Sequence, residues 1–123
     1  MTIYHIALRA DWAAATAATA AGANAGEYRV STRGRSLEEQ GFIHASTTVQ
    51  VAGVANAFYA DLAAEDLVVL VIDTDRLTAE LKYDPVPGAA EPFPHIYGPL
   101  NVDAVVGLAE LGRDAEGRYT FEG

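Results

Sequence analysis

Cysteine is missing from all 123 residues, which excludes disulfides and thiolate metal sites and makes a reducing, cytoplasmic setting the natural expectation. Cationic side chains are few: eight Lys and Arg stand against seventeen Asp and Glu, a formal charge of −9. Such a balance repels a phosphate backbone at long range and argues against high-affinity nucleic-acid binding. Long apolar runs are also lacking. The longest, LVVLVI at 67–72, is strand-sized and far short of a membrane span. The opening MTIYHIALRAD has neither a basic n-region nor a long apolar core, so no secretory signal is visible and no membrane partner is expected.

What remains is globular in composition, with 50% hydrophobic and 20% charged residues. The length suits one core, so residues 1–123 are read as a single domain. TIYHIAL at 2–8 is strand-like, and Asp11 offers an N-cap for an alanine-rich helix from Trp12 to about Ala21, closed by Gly22. The glycine-rich 22–35 stretch has no clear period and reads as a loop. Ser36 and Glu39 fit a capping box ahead of a helical turn closed by Gly41. FIHAS follows as a short strand. Thr47 or Thr48 then caps a helix to about Tyr59, whose apolar face takes Val51, Val54, Ala55 and Phe58.

DLVVLVID at 66–73 is apolar on both faces, which predicts a central strand. TDRLTAE reads as a turn, LKYDPV as a short strand, and VPGAAEPFP as a loop stiffened by three prolines. DAVVGLAEL is assigned as strand, leading into a hairpin that turns at Asp114 to Gly117. Several connections are too short for crossover helices. The pattern predicts an α+β domain with a mixed, mostly antiparallel sheet.

Chemistry concentrates at three histidines. His5 shares a strand face with Ile3 and Ala7, where a buried, hydrogen-bonded structural role competes with a functional one. His44 stands beside Ser46 and Thr47 at a strand end ahead of a helix start, a place that suits anions and carbonyl oxygens. His95 follows Pro94 in what reads as an irregular loop, where positioned histidines favour function. Three imidazoles suit zinc, general acid–base work or neutral hydrogen bonding. Their spacings of 39 and 51 residues contain no local metal motif, so no metal is expected. Arg29, Arg33 and Arg35 fall within seven residues, either as a solvated loop or as a holder for an anionic small molecule.

The segments IYHIA, GEYR at 26–29, SLEEQGFIHAST at 36–47, LVVLVIDTDRL at 67–77 and EPFPHIYGPLNVDAVV at 91–106 resemble the bacterial family called domain of unknown function 952. The likeness runs from about residue 3 to residue 108. The family's fold is similar to that of ADP-ribosyltransferases, including the tRNA 2′-phosphotransferase branch. That resemblance implies a split mixed sheet with flanking helices and a cleft shaped for NAD. By it, His5 would position the nicotinamide ribose, and His44 and Ser46 would contact the base or amide end. His95 stands where most transferases carry a glutamate, and would act as acid, base or acceptor guide.

The resemblance thus implies a transferase of the ADP-ribosyltransferase type, with NAD as substrate or ligand. Thr47 and Tyr97 join the ligand-binding residues, with Tyr97 able to stack. Arg29 and Arg35 would clamp phosphate. Asp84 or Glu91 could supply the missing carboxylate charge. Two other readings stand beside this one: a non-catalytic nucleotide- or small-molecule-binding module, and a three-histidine metal hydrolase.

Overall fold

A computed structural model of the chain describes residues 1–20 and 26–122. In chain order the elements are β1 (Thr2–Leu8), α1 (Arg9–Ala20), β2 (Glu27–Tyr28), β3 (Val30–Thr32), β4 (Arg35–Ser36), α2 (Leu37–Gln40) and β5 (Ile43–His44). Then come α3 (Val51–Phe58), β6 (Leu67–Asp73), β7 (Glu80–Asp84), β8 (Phe93–Tyr97), β9 (Leu100–Asn101), β10 (Val105–Ala109), β11 (Gly112–Arg113) and β12 (Tyr119–Thr120). The result is an α+β domain, and every described strand pair is antiparallel. The parallel component of the expected mixed sheet is therefore not found among the described residues.

Two three-stranded sheets organise the chain, ordered β1-β6-β10 and β5-β8-β7. Strand β6 lies in the middle of the first, as its two apolar faces predict. Val68, Leu70 and Ile72 join Ile3 and Ala7 in one buried cluster. Leu67 and Val69 join Tyr4 and Ile6 in a second, which α3 and the β11–β12 hairpin cover. Burying each of the Val, Leu and Ile side chains stabilises by about 1.5–3 kcal/mol. In the second sheet Ile43 and Ile96 pair across strands and turn into the first cluster. Its opposite face carries His44 paired with His95, and it opens onto a cleft. The sheets meet where Tyr4 and Ser46 exchange backbone hydrogen bonds, Tyr4 N–H to Ser46 O at 2.8 Å and Ser46 N–H to Tyr4 O at 2.7 Å.

Helix α1 starts at Arg9 rather than Trp12. Arg9 is tied to Glu65 O at 3.0 Å and Leu67 O at 2.8 Å, which turns the chain straight out of β1. Asp11 thus falls in the first turn and complements the positive helix end instead of capping it. Trp12 docks the helix, with its ring 6.0 Å from Tyr28. Gly22, the expected helix stop, lies outside the described residues.

The described part of the 22–35 stretch is not loop but β2, β3 and β4. Strands of two or three residues show no period in a sequence window. Arg33 and Gly34 form the tip of the β3–β4 hairpin, with Gly34 at φ 72° in the left-handed region that glycine tolerates. The capping box of Ser36 and Glu39 is present, and Gly41 ends α2 at φ 86°.

Neither threonine caps α3. Gln50 stands at its N-terminus, accepting from Thr47 N–H at 2.9 Å and donating to Pro92 O at 3.0 Å. Val51 and Ala55 are buried as expected, whereas Phe58 is 64% exposed. The largest revision concerns His95, which sits in β8 between β5 and β7 and not in an irregular loop. Pro94 removes one ladder donor, but its carbonyl still accepts from Ala45 N–H at 3.0 Å.

Candidate functional site

A cleft of about 730 Å³ opens over the polar face of the β5-β8-β7 sheet. The β3–β4 hairpin and α3 form one wall, and the segment 84–87 with Phe93 forms the other. His5, His44 and His95 all line it, although 90 residues separate the first from the last. The three side chains are nevertheless held in very different ways.

His5 is engaged at both ring nitrogens. Its Nδ1 lies 2.5 Å from His44 O, and since a carbonyl only accepts, Nδ1 carries the proton. The bare Nε2 then accepts from the Tyr28 hydroxyl at 3.0 Å. Burial pushes the His5 pKa down to about 4, and burial raises that of Tyr28. The ring is therefore neutral near pH 7, fixed in one tautomer, and has no nitrogen left for a ligand in this conformation.

His95 has one nitrogen engaged and one free. Its Nδ1 is 2.8 Å from Asp84 Oδ2, the same oxygen that accepts from the Tyr97 hydroxyl. The Tyr97 hydrogen bond, then that of His95, hold the Asp84 carboxyl below the usual carboxylate range. An ionised carboxylate accepts only, so Nδ1 carries the proton and Nε2 is bare in the neutral ring. Phe42 stacks on the imidazole at 4.1 Å with an interplanar angle of 23°, fixing the ring plane. Strand register explains the contact: Asp84 pairs with Phe93 and Lys82 with His95, so Asp84 is the diagonal neighbour on the same face.

His44 is half-buried, and neither of its ring nitrogens has a hydrogen-bond partner among the described residues. Its ring meets Phe42 edge-on at 4.8 Å and His95 at 5.2 Å. Burial, then the neighbouring His95, lower its pKa. Both effects favour the neutral form, and a neutral imidazole can donate and accept. Ser46 lines the cleft beside it and is held in place by the Tyr4 backbone exchange.

The arginines separate just as sharply. Arg29 is off the cleft, paired with Glu27 at 3.1 Å and Glu38 at 2.5 Å. Arg33 is clamped by Asp61 through two bonds of 2.6 and 2.8 Å and donates to Phe58 O at 3.1 Å, which ties the hairpin to the end of α3. Arg35 lines the cleft; its guanidinium makes no hydrogen bond or ion pair among the described residues, although Glu39 feels its charge. Thr47 and Tyr97 are not part of the lining; the Thr47 hydroxyl is buried without a partner, and Tyr97 acts on the site through Asp84. Among the described residues no group of three His, Cys, Asp or Glu side chains is placed to hold a metal ion. Both His5 nitrogens are engaged, so in this conformation that ring offers no lone pair to an ion.

Sequence reasoning left Asp84 as one of two candidate carboxylates, and missed Phe42 and Phe58 as site residues. The Asp84 signal was present in LKYDPV, a strand that antiparallel pairing with FPHIY brings onto the imidazole. The Phe42 signal was its i, i+2 spacing to His44, which puts both rings on one face.

The model of a family described as protein of unknown function (DUF952) matches residues 6–108. No curated protein matches the chain. Among solved structures, the crystal structure of protein CC0527 from Caulobacter crescentus is similar at 32% identity, with a TM-score of 0.76 over 98% of this chain and 94% of that one. The solution NMR structure of CC0527 gives 33% identity and a TM-score of 0.70, over 95% and 90% of the two chains.

Proposed function

We propose that this chain, which belongs to the DUF952 family of proteins of unknown function, binds an anionic nucleotide in the cleft, with NAD the first candidate. The observation that carries the reading is the convergence of His44, His95 and the Arg35 guanidinium on one cleft, where Ser31, Thr32, Ser46 and Asp84 add polar groups to walls that are mostly apolar and aromatic. A volume of about 730 Å³ suits a small-molecule ligand. Phe58, Val86 and Phe93 offer surfaces for a base or nicotinamide ring, and Arg35 offers a guanidinium for phosphate.

The resemblance to ADP-ribosyltransferases supports transfer of ADP-ribose as the reaction class, with phosphate handling as the variant. A glutamate is absent at position 95, but Asp84 brings a carboxylate to the same corner of the cleft. A fixed negative charge there favours a developing oxocarbenium ion. Calorimetric titration with NAD and ADP-ribose tests the reading. We expect binding in the micromolar to millimolar range and about tenfold weakening in Arg35→Ala, the loss of one charge-assisted contact. No heat with either ligand at millimolar concentration overturns it. A non-catalytic binding module is the second reading, favoured by the engagement of both His5 nitrogens. Nicotinamide release from bound NAD rules that out.

A further inference from the structure

We propose that Asp84 and His95 form one proton-accepting unit whose base is His95 Nε2, and that it activates a hydroxyl, from water or an alcohol, against the bound nucleotide. Asp84 positions His95, and Tyr97 positions Asp84. The inference rests on the nucleotide reading for its substrate and on side-chain geometry for everything else.

Four observations support it. Asp84 Oδ2 accepts from His95 Nδ1 at 2.8 Å, which sets the tautomer with Nε2 bare. Phe42 stacked at 4.1 Å prevents the ring from turning away. Tyr97 donates to the same carboxylate oxygen from outside the cleft and so fixes its rotamer. His95 Nε2 itself has no partner among the described residues, although the side chain is only 6% exposed and lines the cleft. A buried imidazole with one nitrogen anchored to a carboxylate and the other left open has the arrangement of a general base. His5 is the internal contrast, since its second nitrogen is closed by Tyr28. The other ionisable groups on this face are His44, whose ring is 5.2 Å away, and Lys82, which lies over the Tyr97 ring at 5.1 Å and 3.8 Å from Glu80.

In the step that follows, the hydroxyl proton passes to His95 Nε2 while its oxygen forms a bond to C1′ of the nicotinamide ribose. The C1′–N bond breaks, and its electron pair leaves with the nicotinamide nitrogen, which departs neutral. With water the products are ADP-ribose and nicotinamide, and the proton on His95 returns to solvent. The resulting imidazolium is stabilised by the Asp84 carboxylate. No oxidant or metal enters the balance.

The experiment pairs long-range proton–nitrogen NMR of the histidine rings with nicotinamide release from NAD, using water and then methanol as acceptor. In the wild type we expect the His95 proton on Nδ1. Asp84→Asn should move it to Nε2, because an amide can donate to Nδ1, and should lower kcat by about 10²–10³-fold with KM little changed. Asp84→Glu should restore the tautomer and part of the rate, which a merely structural role would not. A wild-type proton on Nε2 overturns the proposal, as does NAD that binds without release, or release that Asp84→Asn leaves intact. Failure of NAD to bind overturns only the nucleotide reading, and the tautomer measurement then still decides the pairing.

Discussion

In the β1-β6-β10 sheet the one histidine gives both ring nitrogens to other protein groups, whereas in the β5-β8-β7 sheet His44 and His95 keep three of their four nitrogens without a protein partner. The first sheet is covered on both faces by buried clusters. A polar ring placed there must find every partner within the protein, because unsatisfied buried groups are costly. The second sheet is covered on one face only, so its other face can hold imidazoles with open valences. Residue type is the same in both; the number of covered faces decides whether the ring nitrogens are closed within the fold or left open toward the cleft.

Truncation is the strongest way to break this comparison. Leu70→Ala, in the central strand and fully buried, should cost about 2–5 kcal/mol in denaturant unfolding. A loss under 1 kcal/mol would mean that the first sheet is not the stabilising one.

Acidification probes the same contrast through His5. Its folded pKa of about 4 lies below the ordinary value of 6.5. The unfolded chain therefore binds the extra proton first, and stability present above pH 6.5 is lost as pH falls toward 4. The size is roughly 3 kcal/mol at 1.36 kcal/mol per pKa unit. His5→Gln should remove that part of the pH dependence, whatever it does to absolute stability. A variant that keeps the full slope would place the titration elsewhere.

The smallest effect belongs to the cleft wall. Phe58→Ala should change stability by under about 0.5–1 kcal/mol, since the ring is 64% exposed, while weakening any ring-bearing ligand. A large loss of stability would show that the ring packs in the fold rather than waiting for a ligand.

Much of the frame could be read from local pattern. The double-sided apolar run of β6, the β-branched and aromatic residues of β1, the capping box at Ser36 and the turn at Asp114 to Gly117 each carry their cause within a few residues. The misreadings share the opposite property. β2 exists because Glu27 and Tyr28 pair with Asn101 and Leu100, far along the chain. The strand through His95 was hidden by two prolines that ordinarily mark loops. Gln50 took the helix start because Pro92, 42 residues on, gave its amide an acceptor.

The candidate site was legible as residue types. The GFIHAS and FPHIYG segments pointed to a common place, and all three histidines line one cleft. Which nitrogens are free was not legible, because that follows from the Tyr28 hydroxyl and the Asp84 carboxylate, set by tertiary register. The same limit applies to the arginines. Only the structure separates Arg35 from Arg29 and Arg33, which have already found carboxylates.

The reciprocal Tyr4–Ser46 bonds carry a mechanical consequence. With the His5–His44 O bond and the packing of Ile43 and Ile96 against Ile3, they rivet the two sheets into one body. The floor of the cleft is thus anchored in the core, while its rim is held more lightly, the tip of the β3–β4 hairpin by the strap from Arg33 to Asp61.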